Sequence, residues 1–379
     1  MIHLVIREPI DYQKTLCQAL NDAYPGNFVV WFASQPAPTL REAHETFVRR
    51  FLPDDGYVRL FRELKADAQP LVILGGWSST FAWVTLLITT ILRVPVFIWA
   101  DHPHPRPGRN LMRRVFLKLL SHRVAGLLAC GKPTVDHLAG LGFDRSAISN
   151  FPYWVRVPEA WSLPPGCGAN QSKDTIRLLT VGRLVQVKGF DIAIRAVALA
   201  NEEAGKEIAT LEVIGDGIER QPLEALVNDL GVARSVTFSG GLSNDEVCRR
   251  LIESDGLIVP SLFEPYGVVV LEALANARLV LASDRVVAAL DRDNEKGAIL
   301  FHAVGDSAAV ARQIRVLAED RHLLQKAAHA AREIAEEWKP ERAALILNSA
   351  FQAAHKTLNS PTSMESGFTL HQPQAPTDT

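Results

Sequence analysis

Cysteine is scarce in this chain: Cys17, Cys130, Cys167 and Cys248 are the whole complement of its 379 residues, and no two form a CxxC pair. That spacing speaks against a disulfide framework and a structural zinc site, and it fits a reducing compartment. A charge excess is missing too. Lys and Arg number 40 against 42 Asp and Glu, a net charge of −2, too balanced for a dedicated nucleic-acid binder. Nor is there a long uninterrupted apolar run. The most apolar region, Phe81–Ala100, carries Arg93 and Pro95, and a membrane span needs roughly 20 apolar residues with no such charge near the middle. A helix over Val84–Leu92 and a buried strand over Val94–Trp99 account for it better. At the N-terminus, MIHLVIREPIDY meets Arg7 and Glu8 after too few apolar residues for a secretory leader. Neither half carries GxGxxG after its first strand, which argues against a nicotinamide-dependent oxidoreductase. The expected location is cytoplasmic.

What is present is an alternation of short apolar runs with longer helical patterns. Hydrophobic residues make up 47% and charged residues 22%, an ordinary globular composition, and the length suggests two domains. The fold class expected is α/β. Strands are predicted at His3–Ile6, Phe28–Phe32, Leu71–Leu74, Val94–Trp99 and Gly126–Ala129, with a helix over Ser78–Leu92 and an amphipathic one over Arg113–Leu120. Prolines 158, 164 and 165 with Gly166 and Gly168 mark a linker, taken as 156–175 between domains at 1–155 and 176–339. In the second half, strands are predicted at Ile176–Val181, Thr210–Ile214, Ser235–Phe238, Gly256–Val259 and Leu279–Ala282. Helices between and after them cover Asp191–Glu203, Gln221–Leu230, Asp245–Ser254 and Val269–Asn276. The end is helical over Ser307–Ala318, His322–Ala335 and Arg342–Leu358, the last as a terminal helix within 340–358. Residues 359–379 have little to bury and are expected to be disordered.

Two segments concentrate the chemistry. In VGRLVQVKGF, Gly182 and Arg183 follow a strand directly and Lys188 precedes Gly189; in SLFEPYGVVVLE, Glu264 and Glu272 stand eight positions apart around Gly267. Arginine forks onto phosphate oxygens and lysine supplies a compact mobile charge, so the two suit a diphosphate in different ways. A helix resuming at Val268 or Val269 offers free N–H groups to the same anion. Glu264 and Glu272 are placed to hold hydroxyls. The bland alternatives are a solvated Arg–Lys pair, a helix-capping Glu264 and a surface Glu272. The apolar flanks VVV and LEAL argue against the last two, because a covered carboxylate without partners is costly. A sugar nucleotide carries the required hydroxyls and phosphates together.

These residues, with LEVIGDG at Leu211–Gly217 and VTFSGGLSNDEV at Val236–Val247, resemble the retaining glycosyltransferases of the two-Rossmann GT-B architecture, most closely family 4 (glycosyl transferases group 1). The likeness covers roughly Ile176–Ala282. It implies two Rossmann-like domains facing a central cleft, the acceptor side in 1–155 and the nucleotide-sugar side in 176–339, with the terminal helix returning to the first domain. It assigns Arg183 and Lys188 to the donor diphosphate, Glu264 to the transferred sugar, Glu272 to the ribose, and Ser239–Gly240 to the base, with Tyr266, Gly267 and Val268 along the same loop. No cofactor and no metal are implied, only a nucleoside-diphosphate sugar as donor.

In the first half the resemblance points to the end of the strand Val94–Trp99, where Asp101 or His102 would face the transferred sugar. His102 and His104 as a metal pair lack a third ligand at sensible spacing, and a proline-stiffened loop with incidental histidines is the bland alternative. Gly131–Asn150 resembles the family's helix and pre-linker strand, while Gly75, Gly76 and Trp77 border an acceptor pocket or merely the core. One departure stands out: relatives carry a glycine-rich loop after the first strand, where this chain has Arg7-Glu8-Pro9-Ile10-Asp11.

The implied reaction is retaining sugar transfer to a hydroxyl of a glycan or lipid-linked saccharide in cell-surface polysaccharide assembly. The alternatives are a retaining synthase with a small soluble acceptor and a nonenzymatic sugar-nucleotide-binding protein, the latter favoured by the missing glycine loop. A basic stretch, Arg106, Arg109, Arg113, Arg114 and Lys118, suits peripheral contact with an anionic inner membrane face, or else its apolar side is core.

Overall fold

Parallel strands covered on both faces have to be apolar throughout rather than alternating, and IHLVI, FVVWF and VFIWA, each buried at every position, meet that condition. The structure is a computed structural model that describes residues 1–7, 11–34, 47–103, 120, 123–165, 175–293 and 295–358. The chain divides into two compact units, Met1–Trp154 with the C-terminal stretch from Pro340, and Val155–Lys339.

In the first unit the order is β1 (Ile2–Ile6), α1 (Asp11–Ala23), β2 (Phe28–Phe32), β3 (Val48–Phe51), α2 (Leu52–Ala66), β4 (Leu71–Gly75), α3 (Thr80–Leu92), β5 (Val96–Ala100), β6 (Gly126–Ala129), α4 (Lys132–Gly140) and β7 (Ile148–Asn150). Its strands form one parallel sheet in the order β3-β2-β1-β4-β5-β6-β7. Helices α2, α3 and α4 share one core with Val5, Trp31, Leu74 and Ile98. The predicted strand at Val94 starts two residues later, because Arg93 ends α3 in a left-handed turn and Val94 is spent closing it onto Thr89 O. Strand β3, VRRF, escapes sequence analysis: an edge strand with two arginines has no apolar run to announce it.

The second unit continues with β8 (Ile176–Val181), α5 (Phe190–Ala204), β9 (Ala209–Ile214), α6 (Arg220–Asp229), β10 (Val236–Gly240), α7 (Asn244–Glu253), β11 (Gly256–Val259), α8 (Val268–Ala275), β12 (Leu279–Ser283), α9 (Val287–Arg292), β13 (Ile299–His302), α10 (Ser307–Glu319) and α11 (His322–Glu337). Its parallel sheet runs β10-β9-β8-β11-β12-β13. Helices α5, α6, α10 and α11 cover one face through Ile194, Leu223, Ile314 and Leu324. Each predicted element of this half is present, shifted by at most two residues; α9 and β13 are additions that the sequence pattern did not reveal.

The last helix, α12 (Arg342–Leu358), belongs to the first unit. Tyr24 at the end of α1 donates to Asn348 Oδ1 at 2.7 Å, and the Phe97 and Phe351 rings meet edge to face at 5.1 Å. In each sheet the strand order reverses direction at one gap, β1/β4 in the first unit and β8/β11 in the second. Open α/β sheets bind ligands outside the strand carboxyl ends at such a gap.

Candidate functional site

In the second unit, both segments singled out from sequence sit at the β8/β11 switch point. The loop after β8 holds Gly182–Gly189 and the loop after β11 holds Pro260–Gly267. Main-chain bonds lock them together: Leu262 N–H donates to Val187 O at 2.9 Å. The β9 loop joins from the other side, with Gly182 N–H on Ile214 O and Leu184 N–H on Asp216 O, each at 2.9 Å. Only glycine fits at 215, where a Cβ would lie 1.8 Å from Gly182 O and φ is +137°. Gly215 N–H donates in turn to Gly240 O at 2.7 Å, so the carboxyl ends of β8, β9 and β10 form one continuous rim.

Lys188 and Glu264, 76 residues apart in sequence, form an ion pair on this rim, with side-chain exposures of 22% and 10%. Glu264 is fixed from three directions. Its N–H donates to Arg285 O at 3.1 Å, its own carbonyl accepts from Val287 N–H, and Ser261 Oγ reaches the carboxylate at 3.5 Å. Ser283 Oγ holds Ser261 O at 2.6 Å. Ser261 and Ser283 are buried contributors that sequence analysis missed, and a hydroxyl at a strand end was the only signal available.

Helix α8 begins at Val268 with Gly267 as its N-cap and no side-chain cap. Val270 N–H turns back onto Gly267 O at 3.0 Å, which leaves the N–H groups of Val268 and Val269 at the open helix start. Gly267 has φ +96°, and a Cβ there would press to 2.9 Å on Glu264 Cγ. Glu272, half-buried one turn into α8, lies near Cys248 of α7, whose thiol is pushed up to about 11 by burial and by the charges of Glu272 and Asp245. Arg183 is exposed, and its guanidinium has no ion-pair partner among the described residues.

Two residues have surroundings that spacing did not suggest. Ser239 Oγ donates to Glu212 Oε1 on the neighbouring strand. The Tyr266 ring, 3% exposed, is buried with its hydroxyl 3.5 Å from Asp291 Oδ2 and 3.3 Å from an Arg292 nitrogen. Tyr266 thus stands on the loop after β11 with its ring packed inward beside Arg292.

The first unit's candidates follow β5. Asp101 Oδ1 accepts from Tyr153 OH at 2.9 Å. His102 Nδ1 lies 3.4 Å from Thr134 Oγ1, and its ring meets His137 of α4 at 5.2 Å. Burial, with the neighbouring His137, lowers its pKa to about 4, so near neutral pH it is an uncharged hydrogen-bonding group. Arg106, Arg109, Arg113, Arg114 and Lys118, His104, residues 166–174 of the proposed linker, residues 8–10 of the glycine-poor turn and the 359–379 tail lie outside the described residues. Among the described residues no group of three or more His, Cys, Asp or Glu side chains is arranged to hold a metal, and no helix is long and apolar enough to cross a membrane.

Residues 169–337 match the family described as glycosyl transferases group 1. This stretch is thus similar to the glycosyl transferases group 1 family over somewhat less than half of the chain. The matched stretch spans most of the second unit and contains Gly182, Arg183, Lys188, Ser239, Gly240, Glu264 and Glu272. The chain is 30% identical over 210 residues to the lipopolysaccharide core biosynthesis glycosyltransferase LpsE of Rhizobium meliloti, covering 54% of this chain and 58% of the relative. It is 35% identical over 230 residues to the D-inositol 3-phosphate glycosyltransferase of Acidothermus cellulolyticus, covering 56% and 49%. The chain thus spans about half the length of these curated relatives. Among solved structures, HepE of Anabaena in complex with UDP aligns with a TM-score of 0.72 at 18% identity, over 94% of this chain and 99% of that one. That likeness shows the fold: two Rossmann-like α/β domains of the GT-B architecture.

Proposed function

We propose that the chain is a retaining, family 4 glycosyltransferase that moves a sugar from a nucleoside-diphosphate sugar to a hydroxyl of a glycan or lipid-linked saccharide in cell-surface polysaccharide assembly. The Lys188–Glu264 pair at the switch point of the stretch similar to glycosyl transferases group 1 carries this reading. A cation and an acid held on one rim, beside an uncapped helix start, suit a ligand with phosphates and hydroxyls side by side.

In this reading the diphosphate sits on the N-terminus of α8, Arg183 and Lys188. Glu264 accepts from a hydroxyl of the transferred sugar, Glu272 from the ribose diol, and Ser239–Gly240 border the base. Bond breaking sends the electron pair of the anomeric C–O bond to the diphosphate. Arg183, Lys188 and the α8 N–H groups stabilise that charge, a task for which one well-placed donor is worth about 3–4 kcal/mol. The acceptor oxygen bonds the anomeric carbon on the same face, and its proton leaves with the departing phosphate. Asp101 and His102 are the first unit's candidates for the acceptor side.

The test is release of nucleoside diphosphate from a panel of UDP-, GDP-, ADP- and TDP-sugars, with UDP-sugars first because HepE was crystallised with UDP. One donor is expected to turn over, and Lys188→Ala to slow it about 100–1,000-fold. Binding of a donor with no turnover, with or without glycan acceptors, would instead favour a nonenzymatic sugar-nucleotide-binding protein.

A further inference from the structure

On the face of the second sheet opposite its apolar core, the amino-terminal parts of β8, β9 and β10 carry polar side chains, Arg177, Thr210, Glu212 and Thr237, beside Leu179. Strand alternation puts Ile176, Leu178, Ala209, Leu211 and Val236 into the core. The intervening residues therefore share the other face, and the register pairs Arg177 with Thr210 and Glu212 with both Leu179 and Thr237. A groove of about 310 Å³ opens there, walled by Arg250 and Glu253 of α7 and by Arg234 before β10. It lies toward the amino ends of these strands, away from the carboxyl-end rim that holds Lys188 and Glu264.

Its charges are unevenly matched. Glu212 is engaged by Ser239 Oγ and lies 3.7 Å from Arg250 Nε. The guanidinium groups of Arg177 and Arg234 have no ion-pair or hydrogen-bond partner among the described residues; Arg177 spends only its backbone N–H, on Asp255 Oδ2 at 2.8 Å. Three arginines line the groove against Glu212 and Glu253, an excess of one positive charge in the lining itself, over a floor of Thr210 and Thr237; behind it Glu207 is engaged by Ser235 Oγ at 2.7 Å and Asp255 by the Arg177 backbone N–H. Arginine forks match tetrahedral oxyanions with two parallel N–H donors each. A recess near the lower end of small-molecule pocket sizes admits a ligand of sugar-phosphate dimensions, not a nucleotide sugar.

We propose that this groove binds a phosphomonoester or free phosphate between Arg177, Arg234 and Arg250, at a site separate from the donor rim. Inorganic phosphate and a hexose 6-phosphate are the probes, and thermal unfolding of the full chain is the readout, with chloride at matched ionic strength as the reference. Wild type is expected to gain melting temperature with phosphate, and more with the hexose phosphate if the sugar is also held. Arg183→Ala/Lys188→Ala keeps the gain. Arg177→Gln/Arg234→Gln loses it, with affinity about 10–100-fold weaker for each charged hydrogen bond removed. Should the double variant fail to fold, Arg234→Ser alone, a change at an exposed position, is expected to weaken phosphate at least about tenfold. The proposal is overturned if phosphate stabilises no form of the protein, if the groove variants respond like wild type, or if only the Arg183/Lys188 variant loses the response. The last result would assign the phosphate to the donor rim and leaves the donor reading standing.

Discussion

Lys188 and Glu264 illustrate how one residue can serve both structure and ligand. Glu264 is nearly covered, so removing its cation leaves a carboxylate that has lost its water and its partner. Lys188→Ala is therefore expected to lower stability by about 1–3 kcal/mol as well as slowing transfer. Lys188→Arg should recover more of the stability than of the rate, because a planar fork cannot reproduce a point charge between Glu264 and a phosphate. Chemical denaturation run beside turnover separates the two effects. Histidines give a second residue-scale prediction. His102 and His302 both have pKa values lowered to about 4, His302 by burial against the opposing pull of Asp284 and Asp306. His302 is 4% exposed, with no hydrogen-bond partner for either ring nitrogen among the described residues. A folded-state pKa below the unfolded value of about 6.5 means that the unfolded chain takes up protons first. Stability from these histidines is thus fully present above about pH 6.5 and falls as the pH drops toward 4. Replacing His302 with Gln is expected to flatten that part of a melting-temperature profile; an unchanged slope would mean that His302 does not titrate with folding.

Elements in the second unit are pinned by side chains that reach across to helix ends. Arg278 is fully buried and gives its guanidinium to main-chain carbonyls: Leu251 O at 2.8 Å, Ile252 O at 2.6 Å, Ala277 O at 3.1 Å and Ser162 O at 2.9 Å. It thereby satisfies the last turn of α7, where carbonyls lack intrahelical donors and the helix dipole favours a cation. Arg278→Met should cost about 3 kcal/mol or more, read as a lower urea midpoint with unchanged slope. The helix pattern places the start of α7 at Asp245, within one residue, and the structure closes it with a reciprocal Ser243–Glu246 box. Its end, also placed within one residue, is held by Arg278, 27 residues beyond Leu251 on another element, a partner that the local sequence does not name. Strands β11 and β12, GLIV and LVLAS, were legible for the opposite reason: a doubly covered strand announces itself by near-continuous apolar composition. The edge strands β3 and β13 carry charge, or a histidine in place of an apolar end, and left no such trace.

At the scale of the whole molecule, the two parallel sheets follow from alternating αβ runs, and the likeness to glycosyl transferases group 1 from motifs on the β8 and β11 loops. The chemistry-bearing residue types could be read in advance, because glycine, lysine and glutamate at those spacings have few structural uses together. Their partners could not. The approach of Lys188 to Glu264, the Ser283–Ser261 brace, the Ser239–Glu212 bond and the burial of Tyr266 beside Arg292 all depend on loops brought together by strand order. The most direct test of the donor site is calorimetric titration of UDP, GDP, ADP and TDP into wild type, Arg183→Ala/Lys188→Ala and Glu272→Ala. Arg195→Ala, on the outer side of α5, serves as control. The account predicts saturable binding of one nucleotide to wild type and to the control, weakened about tenfold or more in both site variants. Equal affinity in all four proteins, or no binding of any of the four nucleotides to the folded wild type, would contradict it.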